Sequence, residues 1–187
     1  MTLENMQSFA LGGGTSLSLR FGHRQSIDLD FFSTEAFQVD DVHNEIRRAY
    51  KDTHLINRTD GSLCLEIKNV KIDILYHPYP MLASTDSIDS IRLIALDDLA
   101  AMKINAVTNR GSKKDFSDLL LLHESGLSLQ QSLSLFCEKY GASAKFLAIR
   151  SLQYFEDAAL EPDPLYLNEW TWEYVEKRVH EIGILLR

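Results

Sequence analysis

The chain has 187 residues, of which 45% are hydrophobic and 25% charged, and its formal net charge is −8. These values are typical of a globular domain with a helical extension and exclude a disordered or fibrous chain. There is no run of 18 apolar residues and no basic segment followed by an apolar one at the start, so we expect a cytoplasmic protein without a membrane span. The acidic balance argues against loose, charge-driven binding of nucleic acid.

The first feature in chain order is a glycine-rich turn. Residues 11–17 read LGGGTSL and lead into a predicted short helix. Glycines before a helix N-terminus leave backbone N–H groups open and let an anion approach them closely. An ordinary loop–helix junction would explain the glycines equally well. No Gly-Lys-Ser/Thr follows, so this is not a Walker loop.

The next segment, residues 25–32, alternates apolar and polar side chains and predicts a strand. Asp28 and Asp30 face the same side of that strand, with Cα atoms about 6.6 Å apart. Two neighbouring carboxylates repel each other and favour a cation between them, for which a hard divalent ion is suited. A strand that exposes two acids to solvent is the alternative.

A sheet region follows. Residues 38–50 predict a helix, and strands are predicted at Thr53–Asn57, Leu63–Lys68 and Val70–Tyr76, the first two joined by a hairpin turn at Asp60-Gly61. In the last strand, Lys71, Asp73 and Leu75 share one face. Because neighbouring strands lie only about 4.8 Å apart, Asp73 can complete a three-carboxylate cluster with Asp28 and Asp30 that holds two Mg²⁺ ions. An edge strand with one face in water is the alternative.

The second half of the chain has a helical pattern. Residues 91–96 predict a further strand or the approach to a helix. Helices are then predicted from Asp97 or Asp98 through Val107 and at Phe116–His123, Leu129–Tyr140, Ala144–Ala158 and Glu169–Leu186. We therefore predict an α+β fold, in which a small mixed sheet flanked by helices (residues 1–96) precedes a C-terminal helical bundle (residues 97–187). Ligand sites often lie where two such lobes meet.

Taken in order, these motifs resemble the AbiEii/AbiGii-type toxin nucleotidyltransferases of the DNA polymerase β-like nucleotidyltransferase superfamily. The resemblance covers roughly residues 8–122. It is carried by Gly13-Gly14-Thr15, by His23-Arg24-x-Ser26-x-Asp28-x-Asp30-x-Phe32, by Asp73, by Asp98…Lys103 and by Lys114-Asp115-x-x-Asp118.

The resemblance implies a role for each motif. Gly13, Gly14 and Thr15 would cradle the nucleotide phosphates. Asp28, Asp30 and Asp73 would bind Mg²⁺, as a two-metal site, and Asp73 would also be the base for the attacking hydroxyl. Lys103 would neutralise triphosphate charge, although a solvated lysine on a helix face explains it equally well. Further nucleotide-binding positions implied are Arg24, Ser26, Lys114, Asp115 and Asp118.

The implied activity is Mg²⁺-dependent transfer of a nucleoside monophosphate from an NTP to a hydroxyl of tRNA or protein. Residues 1–96 would be the nucleotidyltransferase core and residues 97–187 the substrate-closing domain of a toxin, with a cognate antitoxin as partner and no membrane contact. The basic segment 103–114, which lacks acids, is the local candidate for phosphate contact. Two alternatives stay open: an antibiotic-type small-molecule adenylyltransferase, which the negative charge mildly favours, and a non-catalytic relative that binds nucleotide or antitoxin.

Overall fold

The computed structural model describes residues 3–186, which divide into two compact units. The sheet unit comprises the residues up to Ser16 together with Ser26–Ile94, and the helical unit comprises Leu17–Gln25 together with the residues from Ala95 onward. Helix α1 (Gly13–Phe21) begins in the sheet unit and ends in the helical unit. The division into a nucleotidyltransferase core at residues 1–96 and a substrate-closing domain at residues 97–187 stays a prediction.

The sheet unit contains a seven-stranded mixed sheet, in which the strands are ordered β3-β4-β5-β2-β1-β7-β6. The pairs β2–β5 and β1–β7 are parallel and the other pairs are antiparallel. This confirms the predicted mixed sheet. The strands are β1 (Ala10–Leu11), β2 (Leu29–Ser33), β3 (Thr53–Thr59), β4 (Ser62–Ile67), β5 (Val70–Tyr76), β6 (Asp86–Ile88) and β7 (Ile91–Leu93), with α2 (Val39–Ala49) between β2 and β3.

Alternation along β4 determines which face of the sheet is buried. Leu63, Leu65 and Ile67 are buried, and they belong to a cluster that includes Val42 and Ile46 of α2. Burial of such side chains stabilises the sheet by roughly 1.5–3 kcal/mol for each fully buried residue. Because successive side chains point to opposite faces, the other face of β4 carries polar side chains. The candidate site residues of β2 and β5 lie on that polar face.

The helical unit is built from the end of α1 and six further helices within the described chain. Two of its helices begin at serine N-caps. The side chain of Ser112 accepts from the backbone N–H of Asp115, and Ser128 forms a capping box with Gln131. Such caps typically contribute about 1 kcal/mol. The helices are α3 (Leu96–Asn109), α4 (Lys113–Glu124), α5 (Leu129–Tyr140), α6 (Lys145–Ser151), α7 (Glu156–Ala159) and α8 (Trp172–Gly183).

The observed elements correct three sequence predictions and add two strands. The strand predicted at 25–32 begins only at Leu29, because the N–H of Gln25 bonds instead to the carbonyl of Leu165, 2.8 Å away. The helix predicted at Ala144–Ala158 is split into α6 and α7, because the N–H groups of Gln153 and Tyr154 turn to carbonyls three residues back. The helix predicted at Glu169–Leu186 begins at Trp172, after the Thr171 cap. Strands β1 and β6 were not predicted.

No helix among residues 3–186 combines the length and the apolar composition that a membrane crossing requires.

Candidate active site

The N-terminus of α1 lies directly against the carboxylate of Asp30. Gly13 has a φ of 63°, and a Cβ built on it would lie 2.1 Å from Asp30 Oδ2, so only glycine allows this approach. The N–H of Gly12 donates to the backbone carbonyl of Asp30 at 2.8 Å, which joins the turn to β2. The first helical bond runs from the N–H of Ser16 to the carbonyl of Gly12. The preceding N–H groups, of Gly13, Gly14 and Thr15, are the donors that a helix leaves without an intrahelical acceptor.

Thr15 connects this helix to the approach to β2. Its hydroxyl donates to the backbone carbonyl of Asp28 and lies 2.9 Å from Ser26 Oγ. Thr15 is buried, whereas the side chain of Asp28 is exposed just before β2 begins. The structure therefore brings together in the sheet unit five residues that the sequence singled out: Gly13, Thr15, Ser26, Asp28 and Asp30.

Asp30 and Asp73 are direct partners on neighbouring parallel strands, β2 and β5. Partners in a parallel pair present their side chains to the same face, so the two carboxylates lie side by side. Lys71 Nζ donates to Asp73 Oδ2 at 2.6 Å. The hydrogen bond to Asp73 raises the pKa of Lys71 above its usual value, although partial burial opposes this rise.

Sequence reasoning did not assign a role to Lys71 or to Cys64, which also borders this pair. Cys64 is opposite Asp73 on β4, and burial together with the carboxylate of Asp73 raises the pKa of the thiol to about 11. The thiol is therefore protonated at neutral pH, and both cysteines of the chain are free. The alternation of residues 70–76 was the signal for Lys71, since it already placed Lys71 and Asp73 on one face.

The carboxylates fit a divalent cation by chemistry. Paired carboxylate oxygens on one face of a sheet are donors of the kind that hard cations such as Mg²⁺ prefer. Within residues 3–186, no group of three or more His, Cys, Asp or Glu side chains is arranged to hold a metal ion. Participation of Asp28 as a third metal ligand, like the two-metal site, stays a prediction.

The helical unit contains a second set of predicted residues, gathered around the buried carboxylate of Asp118. Arg24 grips Asp118 through two hydrogen bonds of 2.8 and 2.9 Å, and His23 Nε2 lies 2.8 Å from the same carboxylate. Lys103 Nζ lies 2.6 Å from Asp118 Oδ2. Sequence reasoning did not predict these pairings, because residues 23 and 118 are 95 positions apart.

Asp115 continues this network at the start of α4. It accepts from Lys103 Nζ at 2.9 Å and, bidentately, from Arg110 at 2.7 and 3.0 Å. Burial alone would raise the pKa of Asp115 and that of Asp118, but the neighbouring cations outweigh it and hold both well below their usual range. The ammonium of Lys103 is thus surrounded by internal carboxylates, with 7% of its side chain exposed.

The remaining predicted cations of segment 103–114 differ in their surroundings. Lys113 Nζ donates to Asp163 at 2.7 Å, whereas Lys114 is exposed on α4. Three of the four cations in the predicted phosphate-contact segment are therefore paired with acids of the same unit: Lys103, Arg110 and Lys113.

Comparison with known proteins places the chain among nucleotidyltransferases. The sequence profile described as "Nucleotidyl transferase AbiEii toxin, Type IV TA system" matches residues 2–175. A relative from Aquifex aeolicus (strain VF5), named as uncharacterized protein aq_aa25, is 35% identical over 183 residues, covering 95% of this chain and 87% of that protein.

Two solved structures share the fold at low sequence identity. A candidate nucleotidyltransferase from Helicobacter pylori superposes with a TM-score of 0.62 at 18% identity and covers 98% of this chain and 88% of its own. MenT4, the nucleotidyltransferase toxin Rv2826c from Mycobacterium tuberculosis H37Rv, superposes with a TM-score of 0.56 at 13% identity, covering 96% of this chain and 76% of its own.

Proposed function

Because this chain belongs to the AbiEii nucleotidyl transferase toxin family of type IV toxin–antitoxin systems, we propose that it moves a nucleoside monophosphate from an NTP to a hydroxyl group of a macromolecule. Membership of the family makes the chain a nucleotidyltransferase with a toxin role. The nucleotide, the acceptor, the metal and the residue roles described below are our proposals.

One observation carries the proposal: the glycine N-terminus of α1 abuts Asp30, whose strand partner is Asp73. Phosphate binding needs open N–H donors, and metal binding needs carboxylate oxygens beside them. A nucleoside triphosphate and its divalent cation require the N–H donors and the carboxylate oxygens to lie within a few ångströms of each other. The sheet unit supplies them from α1, β2 and β5.

Each of these groups has a proposed task. The N–H groups of Gly13, Gly14 and Thr15 would bind phosphate oxygens, with Ser26 supporting Thr15 through its hydroxyl. Asp30 and Asp73, assisted by Asp28, would hold a divalent cation, Mg²⁺ by preference. Such an ion neutralises developing charge on the phosphates and lowers the barrier to phosphoryl transfer.

The proposed chemistry assigns the proton to Asp73. Its carboxylate accepts the proton of the acceptor hydroxyl as that oxygen forms a bond to the α-phosphorus. The bond between the α-phosphorus and the bridging oxygen to the β-phosphate breaks, and pyrophosphate leaves with the electron pair. Positioning and charge neutralisation supply most of the rate enhancement in such reactions.

For the paired charged residues of the helical unit, we propose a structural role. The charges of Lys103, Asp115 and Asp118 are already satisfied by one another and by arginines. This pairing favours a structural role for Lys103 over direct contact with triphosphate. The same reasoning applies to Arg24, which is buried and paired bidentately with Asp118. Lys114, which is exposed, stays a proposed nucleotide contact.

We test the function with each α-³²P-labelled NTP, Mg²⁺ and either total RNA or total protein as acceptor. Label that enters RNA with the parent chain and not with Asp30→Asn would support transfer to RNA. Label in protein bands would make a protein the acceptor. Label in neither acceptor, at any NTP, would contradict the proposal.

A further inference from the structure

The polar face of the sheet unit carries a cation placed where the proposed metal would have to bind. Lys71 and Asp73 lie two residues apart on β5 and therefore on the same face, and their charged atoms are 2.6 Å apart. The side chain of Asp73 is 20% exposed, so it is partly shielded and would be costly to leave without a counter-ion. Asp30 lies beside Asp73 on β2, and its charge also acts on Lys71.

Lys71, at the other end of this contact, has a side chain that can move away from Asp73. The side chain of Lys71 is 48% exposed. Lysine carries its charge on a flexible four-carbon stem, so its ammonium can leave Asp73 without moving the backbone of β5. A single, partly exposed ion pair of this kind is weak, and a divalent cation held by two carboxylates binds them more strongly than one ammonium does.

We propose that Lys71 is the resident counter-ion of Asp73, that an incoming divalent cation displaces it, and that its released ammonium then binds the phosphates of the NTP. In the resting chain the lysine prevents Asp73 from acting as a metal ligand or base. In the loaded site the same charge would lie near Asp30, whose carboxylate lies against the N-terminus of α1. This inference rests on the proposed function and adds a residue to its machinery.

Displacement of Lys71 by a cation predicts that Lys71→Met strengthens metal binding and weakens NTP binding. Lys71→Met removes the competing charge but keeps the length and most of the apolar stem of the side chain. Without nucleotide, we expect Lys71→Met to bind Mn²⁺ about three- to tenfold more tightly than the parent, because no ammonium has to be displaced. For transfer, we expect the KM for the NTP to rise about tenfold or more, because a phosphate contact is lost.

The experiment measures Mn²⁺ binding by electron paramagnetic resonance and transfer kinetics in the same four proteins: the parent, Lys71→Met, Lys71→Arg and Lys51→Met. Lys51→Met removes the same charge from an exposed position of the sheet unit and should change neither quantity. Lys71→Arg keeps a cation, so it should restore most of the NTP affinity. A lysine with a merely structural role would not tighten Mn²⁺ binding while weakening NTP binding.

The outcomes separate this inference from the proposed function. If Lys71→Met binds Mn²⁺ no more tightly than the active parent does, or if its KM for the NTP is unchanged, the exchange is wrong and the proposed function stands. If the parent neither binds Mn²⁺ nor transfers nucleotide, the proposed function fails and this inference fails with it.

Discussion

Gly13 is required at its position for two separable reasons, a positive φ and the closeness of a carboxylate. Gly22 has the same φ of 63°, but a methyl group added there would have nothing within 4 Å, so Gly22 provides a matched control. A left-handed backbone costs an alanine about 1–2 kcal/mol at either site. At Gly13 the methyl group must also displace the carboxylate of Asp30.

We therefore expect Gly13→Ala to lower the free energy of unfolding by clearly more than Gly22→Ala, which should lose only about 1–2 kcal/mol. We also expect only Gly13→Ala to weaken NTP binding. Urea unfolding and calorimetric titration with the NTP measure the two effects. Equal losses of stability and unchanged NTP affinity in both variants would show that the closeness of Gly13 to Asp30 affects neither the free energy of unfolding nor NTP binding.

Asp30 should matter for activity far more than for stability. Its carboxylate lies at the N-terminus of α1, where a negative charge contributes about 0.3–1 kcal/mol, and removing it also relieves repulsion with Asp73. We expect Asp30→Asn to abolish transfer and to change the free energy of unfolding by no more than about 1 kcal/mol.

Thermal unfolding with and without divalent cation checks the same variant. A ligand stabilises the folded chain in proportion to RT ln(1 + [L]/Kd), so the cation should raise the Tm of the parent and not that of Asp30→Asn. Asp41→Asn, at an exposed position of α2, serves as the control and should respond to the cation like the parent. A cation response that survives in Asp30→Asn would remove Asp30 from the metal ligands.

The sequence predicted the strand positions of Asp30 and Asp73 better than it predicted side-chain contacts. Alternation in two strands placed Asp30 and Asp73 on defined faces, and the structure makes them direct partners. Alternation says nothing about where a long side chain bends, so the contact of Lys71 with Asp73 could not be predicted. For Lys103 the sequence left open a triphosphate contact or a solvated side chain on the helix face. The structure instead buries its ammonium between Asp115 and Asp118, a pairing that the helical pattern does not predict.

At the scale of helices, α3 and α4 are joined by a buried charge network rather than by apolar contact alone. The side chain of Asp118 on α4 is fully buried. Asp98 of α3 and Lys139 of α5 form a second ion pair in which both side chains are fully buried. Breaking such a pair leaves an unpaired charge in the interior and typically costs about 3–5 kcal/mol. A surface pair costs far less when it is broken.

We expect Asp118→Asn to lower the free energy of unfolding by about 3–5 kcal/mol, measured by urea denaturation near neutral pH. Asp40→Asn breaks the exposed ion pair with Arg58 and should cost less than about 1 kcal/mol. Similar small losses in both variants would show that the buried network does not stabilise the helical unit.

The same carboxylate predicts how stability depends on pH. The pKa of Asp118 is far below its usual range in the folded chain, so its contribution is complete above the unfolded value of about 3.9. That contribution is lost as the pH falls below about 4 toward the folded value. The free energy of unfolding should therefore fall less steeply with acid in Asp118→Asn than in the parent, and parallel acid titrations would contradict this account.

The elements that the sequence predicted well are those with a long, regular period. Strand β5 and helix α5 were predicted with their observed bounds, and α2 within one residue at each end. Strand β1 has only two residues, which is too short for any period to be visible. The break between α6 and α7 depends on local backbone bonds and on contact of the Gln153 side chain with the carbonyl of Gly183, neither of which leaves a pattern in the sequence.

For the whole molecule, a toxin role predicts that growth depends on the proposed catalytic carboxylates. Induced expression of the parent chain in a bacterial host should slow growth, whereas Asp30→Asn, expressed to the same level, should not. Growth curves and immunoblots of both strains measure this. Equal inhibition by the two proteins would separate toxicity from nucleotidyl transfer.

The two units are interleaved along the chain, since Leu17–Gln25 belongs to the helical unit although the sheet unit surrounds it in sequence. Arg24 and His23 from that short segment supply partners for Asp118. A gene fragment that starts at codon 95 would therefore encode helices whose central carboxylate lacks two of its partners. Recombination at that junction could not exchange the helical unit intact between relatives, so the two units are expected to be inherited and to diverge together.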